Sequence, residues 1–160
     1  MPLADLRRRA EPLLTRSMHL VWRFSRPMTL GVRGLVLDGA GRVFVVKHSY
    51  VAGWHLPGGG VEPGETVREA LARELEEEGN ITLAGEPALH GVFFNARVSR
   101  RDHVAVFVVH AFRQDTAPQP GREIVAHGFF APDALPDDTT RGTRRRIAEV
   151  LHGAPVSERW

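Results

Sequence analysis

The N-terminal third of the chain contains two different hydrophobic patterns. Over residues 4–24, apolar side chains recur at helical spacing with arginines between them, which predicts an amphipathic helix. Residues 29–37 and 42–48 are instead rich in Leu and Val and predict two strands, and the Asp-Gly-Ala-Gly sequence between them is typical of a hairpin turn. We therefore divide the chain into an N-terminal helical extension and one domain, residues 1–27 and 28–160.

The remainder of the domain mixes helices and strands. Two helices are expected, one near 66–79 and one from Thr139 or Thr140 to about Leu151. The further strands expected are residues 88–95, 103–113 and 127–131. Strands that precede, separate and follow helices in one small domain favour an α/β fold, with helices on the faces of a mixed sheet.

Composition narrows the class of protein. The 160 residues are 42% apolar and 25% charged, as in an ordinary globular domain. The chain has no cysteine, which excludes disulfides, thiolate-bound metals and cysteine nucleophiles. The longest apolar run, residues 104–109, is much too short to span a membrane, and residues 1–11 are too charged for a signal peptide. We therefore expect a cytoplasmic protein without a membrane span.

Charge is unevenly distributed along the chain. The net charge of +2 does not favour nucleic acid as a partner. Residues 1–27 hold six arginines against two acidic residues, whereas residues 59–81 hold seven glutamates against two arginines. We expect the basic N-terminal helix to pack against its own domain or a second subunit, which would form a homodimer. Binding of that helix to a membrane surface or to nucleic acid is the less favoured alternative.

The acidic segment predicts a cation site on one face of the 66–79 helix. At about 100° per residue, Glu74, Glu77 and Glu78 share one arc of the helix, and Leu71 and Leu75 lie beside it. Two further glutamates point away from that arc: Glu69 and Glu76. Carboxylates next to an apolar stripe repel one another more than carboxylates on a solvated face. A site for a hard divalent cation therefore explains them better than an exposed acidic surface does.

A glycine-rich segment and a helix-capping sequence precede this helix. Three consecutive glycines, residues 58–60, allow the backbone to approach a ligand closely. Thr66, followed three residues later by Glu69, has the spacing of a capping box. The helix is therefore expected to begin at Thr66, directly after a flexible glycine-rich loop.

The whole run resembles the signature of the Nudix hydrolases, Gly-x5-Glu-x7-Arg-Glu-U-x-Glu-Glu-x-Gly-U, where U is a bulky aliphatic residue. The positions are filled here by Gly59, Glu65, Arg73, Glu74, Leu75, Glu77, Glu78, Asn80 and Ile81. Asn80 is the one departure, since the family has Gly there, but Asn adopts the left-handed conformation more readily than most residues. Residues 54–59 and 129–136 are also similar to Nudix domains. The resemblance thus covers residues 29–152 and implies an α/β/α sandwich around a mixed sheet.

The resemblance also implies a function. Nudix enzymes hydrolyse a nucleoside diphosphate linked to another moiety, with Mg²⁺ or Mn²⁺ as the cofactor. By resemblance, the metal ligands are the carboxylates of Glu74, Glu77 and Glu78 and the backbone carbonyl of Gly58. Arg73 would orient a glutamate such as Glu65. The general base is left open between Glu74 and Glu123, although the favoured explanation of Glu123 is an ordinary exposed loop residue.

The substrate is not specified by the sequence beyond a small nucleotide diphosphate. Aromatic residues in the strand segments that could stack on a base are Trp54, Phe93 and Phe94. Arg97, Arg100 and Arg101 could contact phosphates or form a solvated hairpin end. A second class of function is a catalytically inactive, Nudix-like module that senses a nucleotide. The complete set of glutamates favours the enzyme.

Overall fold

The structure is a computed structural model and describes residues 28–160. The elements of this part of the chain are β1 (Thr29–Val36), β2 (Val43–His48), β3 (Trp54–His55), α1 (Val67–Gly79), β4 (Thr82–Leu83), β5 (Ala88–Phe94), β6 (Asp102–Val109), β7 (Phe112–Arg113), β8 (Ile124–Phe130) and α2 (Arg141–His152). Both helices predicted for the domain are present. The helix predicted over residues 4–24 lies outside the described residues. With 13 and 12 residues, α1 and α2 lack the length and apolar character that crossing a membrane requires.

The strands form two three-stranded sheets and one short pair. The first sheet has the order β1-β6-β5 and is mixed, because β1 runs parallel to β6 while β5 runs antiparallel to it. The second has the order β3-β2-β8 and is antiparallel, and β4 pairs with β7. The parallel β1–β6 pair requires a long connection, and α1 lies within it.

The hairpin expected from residues 38–41 is only partly correct. The tight turn exists, since the Gly41 N–H donates to the Asp38 carbonyl at 3.0 Å. The strands it joins belong to different sheets, and a single bridge between Leu37 and Val43 connects them. β1 pairs along its whole length with β6, and β2 pairs along its whole length with β8, instead of with each other. The strand expected over 103–113 likewise ends at Val109.

Two apolar cores lie on opposite faces of the strands. Alternate residues of β1 and β2 point to opposite sides, so Leu35 and Val45 join one core while Val36 and Val46 join the other. The first core includes Ile147 of α2, and the second includes α1. The α/β/α sandwich is therefore confirmed, and it explains why apolar residues occupy both faces of β1 and β2.

Close packing of α1 on β1 depends on a glycine in the strand. A β-carbon at Gly34 would lie 3.0 Å from Cδ2 of Leu75 and 3.2 Å from Cδ1 of Leu71. The two leucines predicted to face the sheet are fully buried there. Their position directs the neighbouring acidic face of α1 toward the glycine-rich loop.

Helix α2, which packs on the first core, contains a buried ion pair. The guanidinium of Arg146 donates to Glu149 Oε1 at 2.6 Å, and both side chains are fully buried. Glu149 also accepts the Ser157 N–H at 3.0 Å and lies 2.9 Å from His90 Nε2. The Arg146 guanidinium covers the Phe93 ring at 3.7 Å from its centroid. Glu149 thus fixes the C-terminal segment and a buried cation together.

Glu149→Gln should destabilise the domain by about 3 kcal/mol, because it leaves the Arg146 charge buried without a counter-ion. Urea unfolding curves measure the change. The double variant Arg146→Met, Glu149→Gln is the matched comparison, since it removes both charges and keeps a hydrogen-bonding group for Ser157. We expect it to be more stable than Glu149→Gln alone. A double variant that is less stable would show that the charge imbalance is not the cause.

Candidate active site

Helix α1 begins and ends where its sequence provides caps. Thr66 Oγ1 accepts the Glu69 N–H at 3.2 Å, and Glu69 Oε2 accepts the Thr66 N–H at 2.7 Å, which is the expected capping box. At the other end Asn80 has φ 49° and ψ 37°, the left-handed conformation that ends the helix. Asn80 therefore fulfils the backbone role of the glycine that the Nudix signature has at this position.

The glutamate face of α1 opens into a cavity of about 510 Å³, which we call the acidic cavity. Its walls combine side chains of the helix with the glycine-rich loop: Glu74, Glu77, Glu78 and residues 58–60. Glu76 lies outside the cavity, where it is exposed and accepts a hydrogen bond from Thr82 Oγ1 at 2.8 Å. Glu69 is exposed as well. The structure therefore places these side chains on the sides of the helix that their spacing predicts.

The glycine-rich loop contacts the helix through Gly58. Its N–H donates to Glu78 Oε2 at 2.7 Å, and its φ of 138° is a conformation that side chains disfavour. A β-carbon at this position would overlap the Val32 carbonyl oxygen and lie 2.9 Å from the Arg33 Cα. Only glycine lets the loop pass this close to β1. The close approach places the Gly58 backbone beside the Glu78 carboxylate.

Arg73 links three parts of the site. Its Nη2 donates to Glu65 Oε1 at 2.9 Å, its Nε donates to Glu65 Oε2 at 3.4 Å, and its Nη1 donates to Glu74 Oε1 at 2.7 Å. Nη2 also donates to the Gly60 carbonyl at 3.0 Å. The hydrogen bonds from Arg73 to Glu65 hold the pKa of Glu65 below its usual value. Arg73 thus fixes the loop, Glu65 and Glu74 in one arrangement.

Glu123 reaches the same cavity from the opposite side. It directly precedes β8, and its carbonyl accepts the Ser49 N–H at 2.8 Å, beyond a bulge in β2 between Lys47 and His48. The Glu123 side chain is exposed and lines the acidic cavity. Both candidate bases, Glu74 and Glu123, therefore border one space.

Burial shapes the electrostatics of the acidic cavity. Only 11% of the Glu78 side chain is exposed, and this burial raises the pKa of Glu78 to about 7. The hydrogen bond from Gly58 and the charge of Arg33 oppose the rise, whereas repulsion by Glu74 adds to it. An apolar surrounding that disfavours a carboxylate charge favours any cation that neutralises it.

Two residues near Glu78 were not among the predicted site residues. Arg33 lies in β1, donates to the Leu56 carbonyl at 2.8 Å, and has its pKa lowered by burial despite the attraction of Glu78. His48 Nε2 lies 3.5 Å from Glu78 Oε1. Burial, followed by Arg33 and His55, lowers the pKa of His48 to about 4, so this contact is not an ion pair at neutral pH. A charged residue within an apolar strand pattern was the available signal for Arg33.

A second cavity of about 750 Å³ adjoins the acidic one, and Tyr50 borders both. Of the arginines predicted near the β5–β6 loop, Arg97 lines this second cavity. Arg100 and Arg101 line neither. The aromatic residues considered for base stacking also lie elsewhere, because Phe93 is buried in the first core and Trp54 packs edge-on against Phe130. The third of them, Phe94, packs against the His103 ring at a tilt of 37°.

The predicted cation ligands fit a hard divalent ion by their chemistry, since carboxylate and carbonyl oxygens are the donors such ions prefer. Within residues 28–160, no three acidic or histidine side chains are already gathered around one point suited to a metal. Glu74 is turned to Arg73, and 61% of the Glu77 side chain is exposed. A cation would draw these carboxylates together and neutralise the repulsion among them.

The fold and the site define the family. A model of the NUDIX domain matches residues 27–151, so the chain belongs to the Nudix hydrolases and acts on diphosphate bonds. Enzymes of this family generally use divalent metal ions. The family assignment covers the two sheets, α1, the glycine-rich loop and α2 almost to its end.

Individual relatives are similar at moderate identity. The solved structure of the MutT NUDIX hydrolase from Burkholderia pseudomallei is 30% identical, has a TM-score of 0.67, and is matched over 78% of this chain and 99% of that chain. A Bacillus subtilis protein provisionally named 8-oxo-dGTP diphosphatase is 29% identical over 126 residues, which are 79% of this chain and 82% of that protein. The RNA pyrophosphohydrolase of Dinoroseobacter shibae is 47% identical over 53 residues, which are 31% of this chain and 33% of that protein.

Proposed function

We propose that the protein is a Mg²⁺-dependent pyrophosphohydrolase that cleaves a nucleoside diphosphate linked to another moiety. The acidic cavity is the observation that supports this proposal. Three glutamates of one helix face line it together with a glycine-rich loop in which Gly58 adopts a position that only glycine can occupy. Glutamates on a solvated surface are exposed, whereas Glu78 is buried here. Arg73 also binds both Glu65 and Glu74, which fixes their positions.

The proposed cation ligands are the carboxylates of Glu74, Glu77 and Glu78 and the carbonyl oxygen of Gly58. An all-oxygen set of this kind suits Mg²⁺, with Mn²⁺ as the substitute. The bound cation supplies Lewis acidity, which acidifies water and neutralises negative charge on phosphate oxygens. The Gly58 N–H holds one oxygen of Glu78 in place, at 2.7 Å.

The remaining groups deprotonate the attacking water and hold the glutamates in position. In the proposed reaction a water oxygen bonds to a phosphorus of the diphosphate, the bond from that phosphorus to the bridging oxygen breaks, and the water proton passes to a carboxylate. We assign that carboxylate to Glu123, because one oxygen of Glu74 already accepts a hydrogen bond from Arg73. Glu123 lines the same cavity and forms no ion pair within residues 28–160. Arg73 acts through Glu65 and Glu74 as a positioning residue.

The substrate class follows from the relatives only in outline. Two relatives are named for the hydrolysis of diphosphate bonds, one in 8-oxo-dGTP and the other in RNA. A phosphate-release screen tests the proposal with nucleoside triphosphates, nucleotide sugars, ADP-ribose, NADH, dinucleoside polyphosphates and capped RNA. Turnover of at least one compound in Mg²⁺ supports the enzyme. Saturable binding without any turnover would identify a nucleotide-sensing module instead.

Divalent cations should stabilise the folded protein. Binding to the native state alone adds about 2.7 kcal/mol at a hundredfold excess over Kd. Thermal unfolding in millimolar Mg²⁺ should therefore occur at a higher temperature than in EDTA. The double variant Glu74→Gln, Glu78→Gln should lose this difference. An equal Mg²⁺ shift in the double variant would place the stabilising cation somewhere other than the acidic cavity.

A further inference from the structure

The second cavity has the opposite charge to the acidic cavity that it adjoins. Among residues 28–160, no Asp or Glu lines it, and four arginines do: Arg33, Arg97, Arg141 and Arg145. We call it the arginine cavity. Because Tyr50 borders both cavities, a single elongated ligand can occupy the two together.

Within the described part of the chain, the four guanidinium groups form no ion pair with a carboxylate. Within residues 28–160, none of them lies within ion-pair distance of an Asp or Glu, whereas Arg42, Arg73 and Arg146 all do. Arg145 donates to the Arg159 carbonyl at 3.3 Å, a neutral acceptor. Arg33 donates to the Leu56 carbonyl at 2.8 Å and is attracted by Glu78 without forming an ion pair with it. Four such cations around one space produce a field that attracts an anion.

These arginines come from three separate parts of the fold. Arg33 lies on β1, Arg97 lies in the loop between β5 and β6, and Arg141 and Arg145 lie in the first turns of α2. The last two are four residues apart on one helix face, an arrangement of like charges that destabilises a helix without an occupant. The α2 N-terminus adds a partial positive charge at the same side of the cavity.

Flat side chains complete the arginine cavity. The Trp160 ring lies against Gly142, where a β-carbon would be 2.5 Å from the indole Nε1. The backbone N–H of Trp160 donates to the Phe94 carbonyl at 3.1 Å, which fixes the segment that contains Trp160 on the edge of β5. Together with Tyr50, this indole offers a surface on which a planar base can pack.

We propose that the arginine cavity binds a phosphate group on the ribose of the substrate, at the 2′ or 3′ position, in addition to the diphosphate that the acidic cavity cleaves. This proposal rests on the proposed function for the position of the diphosphate. An uncharged nucleoside would bring no negative charge to the arginines of this cavity, whereas a ribose phosphate offers the oxygens that guanidinium groups bind in pairs. The phosphate is either a monoester of a small nucleotide or the first phosphodiester of an oligonucleotide 5′ end.

Binding without catalysis is the decisive test. Titration calorimetry of the full chain in EDTA compares adenosine 2′,5′-bisphosphate and adenosine 3′,5′-bisphosphate with adenosine 5′-monophosphate. We expect one of the bisphosphates to bind on the order of tenfold more tightly than the monophosphate, as charge-assisted hydrogen bonds to one phosphate would give, and the difference to shrink in high salt. Equal dissociation constants for all three compounds would overturn the proposal.

Variants assign the preference to the cavity. Arg97→Gln and Arg145→Gln should each reduce the preference for the bisphosphate, and both side chains are exposed, so folding should be unaffected. Arg100→Gln is the matched control, because Arg100 lies in the same loop as Arg97 but lines neither cavity. A preference that survives both cavity variants, or that is lost equally in Arg100→Gln, would refute the assignment.

Turnover of matched pairs identifies the source of the phosphate. The pairs are coenzyme A with dephospho-coenzyme A, NADPH with NADH, and a 5′-triphosphorylated dinucleotide with ATP. A higher kcat/KM for the phosphorylated member supports the proposal, and the pair that shows it distinguishes a small nucleotide from an oligonucleotide end. Turnover with equal kcat/KM in every pair refutes this proposal and leaves the proposed function intact. If no compound is turned over but the bisphosphate still binds more tightly, the proposed function is refuted and the ribose-phosphate site in the arginine cavity is retained.

Discussion

Glu78→Gln and Glu74→Gln should each lower turnover at least about a hundredfold while the protein remains folded. Loss of a group that merely supports a metal ligand typically costs 10- to 100-fold, so loss of a ligand charge should cost more. The amide keeps the shape of the side chain and can still accept the Gly58 N–H, which donates to Glu78 at 2.7 Å. Steady-state rates at several Mg²⁺ concentrations measure the effect. In EDTA the melting temperature should be unchanged or higher, because a buried carboxylate charge has been removed.

Glu76→Gln is the matched control on the same helix. Glu76 lies between the ligand positions in sequence but is exposed on another side of α1, where its carboxylate accepts a hydrogen bond from Thr82. Its amide variant should keep nearly full turnover and an unchanged response to Mg²⁺. If Glu76→Gln were as damaging as Glu78→Gln, or if Glu78→Gln left turnover intact, the ligand face would be wrongly assigned.

The acidic helix could be predicted from sequence because its determinants are local. The capping box of Thr66 and Glu69 and the left-handed Asn80 set its ends. Helical spacing then fixes which glutamates share a face with the core leucines. Every contact that Arg73 makes with Glu65 and Glu74 also lies within a short stretch of chain. A single contiguous motif therefore specified half of the acidic cavity.

Groups brought together by the sheets could not be predicted in the same way. Arg33 and His48 are 45 and 30 positions away from Glu78 in the chain, and the packing of β1 and β2 against α1 brings them close to it. The arginine cavity depends on the parallel pairing of β1 with β6, whereas the turn at residues 38–41 suggested only a hairpin. Local turn chemistry specifies a chain reversal, but the choice of strand partner depends on the burial of both faces.

Gly58→Ala should destabilise the domain by about 5 kcal/mol, a large part of the stability of a typical domain. The φ of 138° imposes strain of about 1–3 kcal/mol on any other residue. The added methyl group would also overlap the Val32 carbonyl oxygen, and such overpacking costs about 1–3 kcal/mol or more. The Val32 carbonyl belongs to the backbone of β1, which is held in place by pairing with β6 along its whole length, so the upper end of the combined range is expected. Urea unfolding and thermal melts measure the loss.

The neighbouring glycines give graded comparisons for that variant. A β-carbon at Gly60 meets nothing within 4 Å, so Gly60→Ala should leave stability nearly unchanged. At Gly59 the added methyl group would displace the Glu74 carboxylate, the far end of a flexible side chain, so turnover should fall more than stability. Stability should therefore decrease in the order Gly60→Ala, Gly59→Ala, Gly58→Ala. If Gly58→Ala were as stable as Gly60→Ala, the close passage of the loop over β1 would be wrong, and with it the position of the Gly58 backbone beside Glu78.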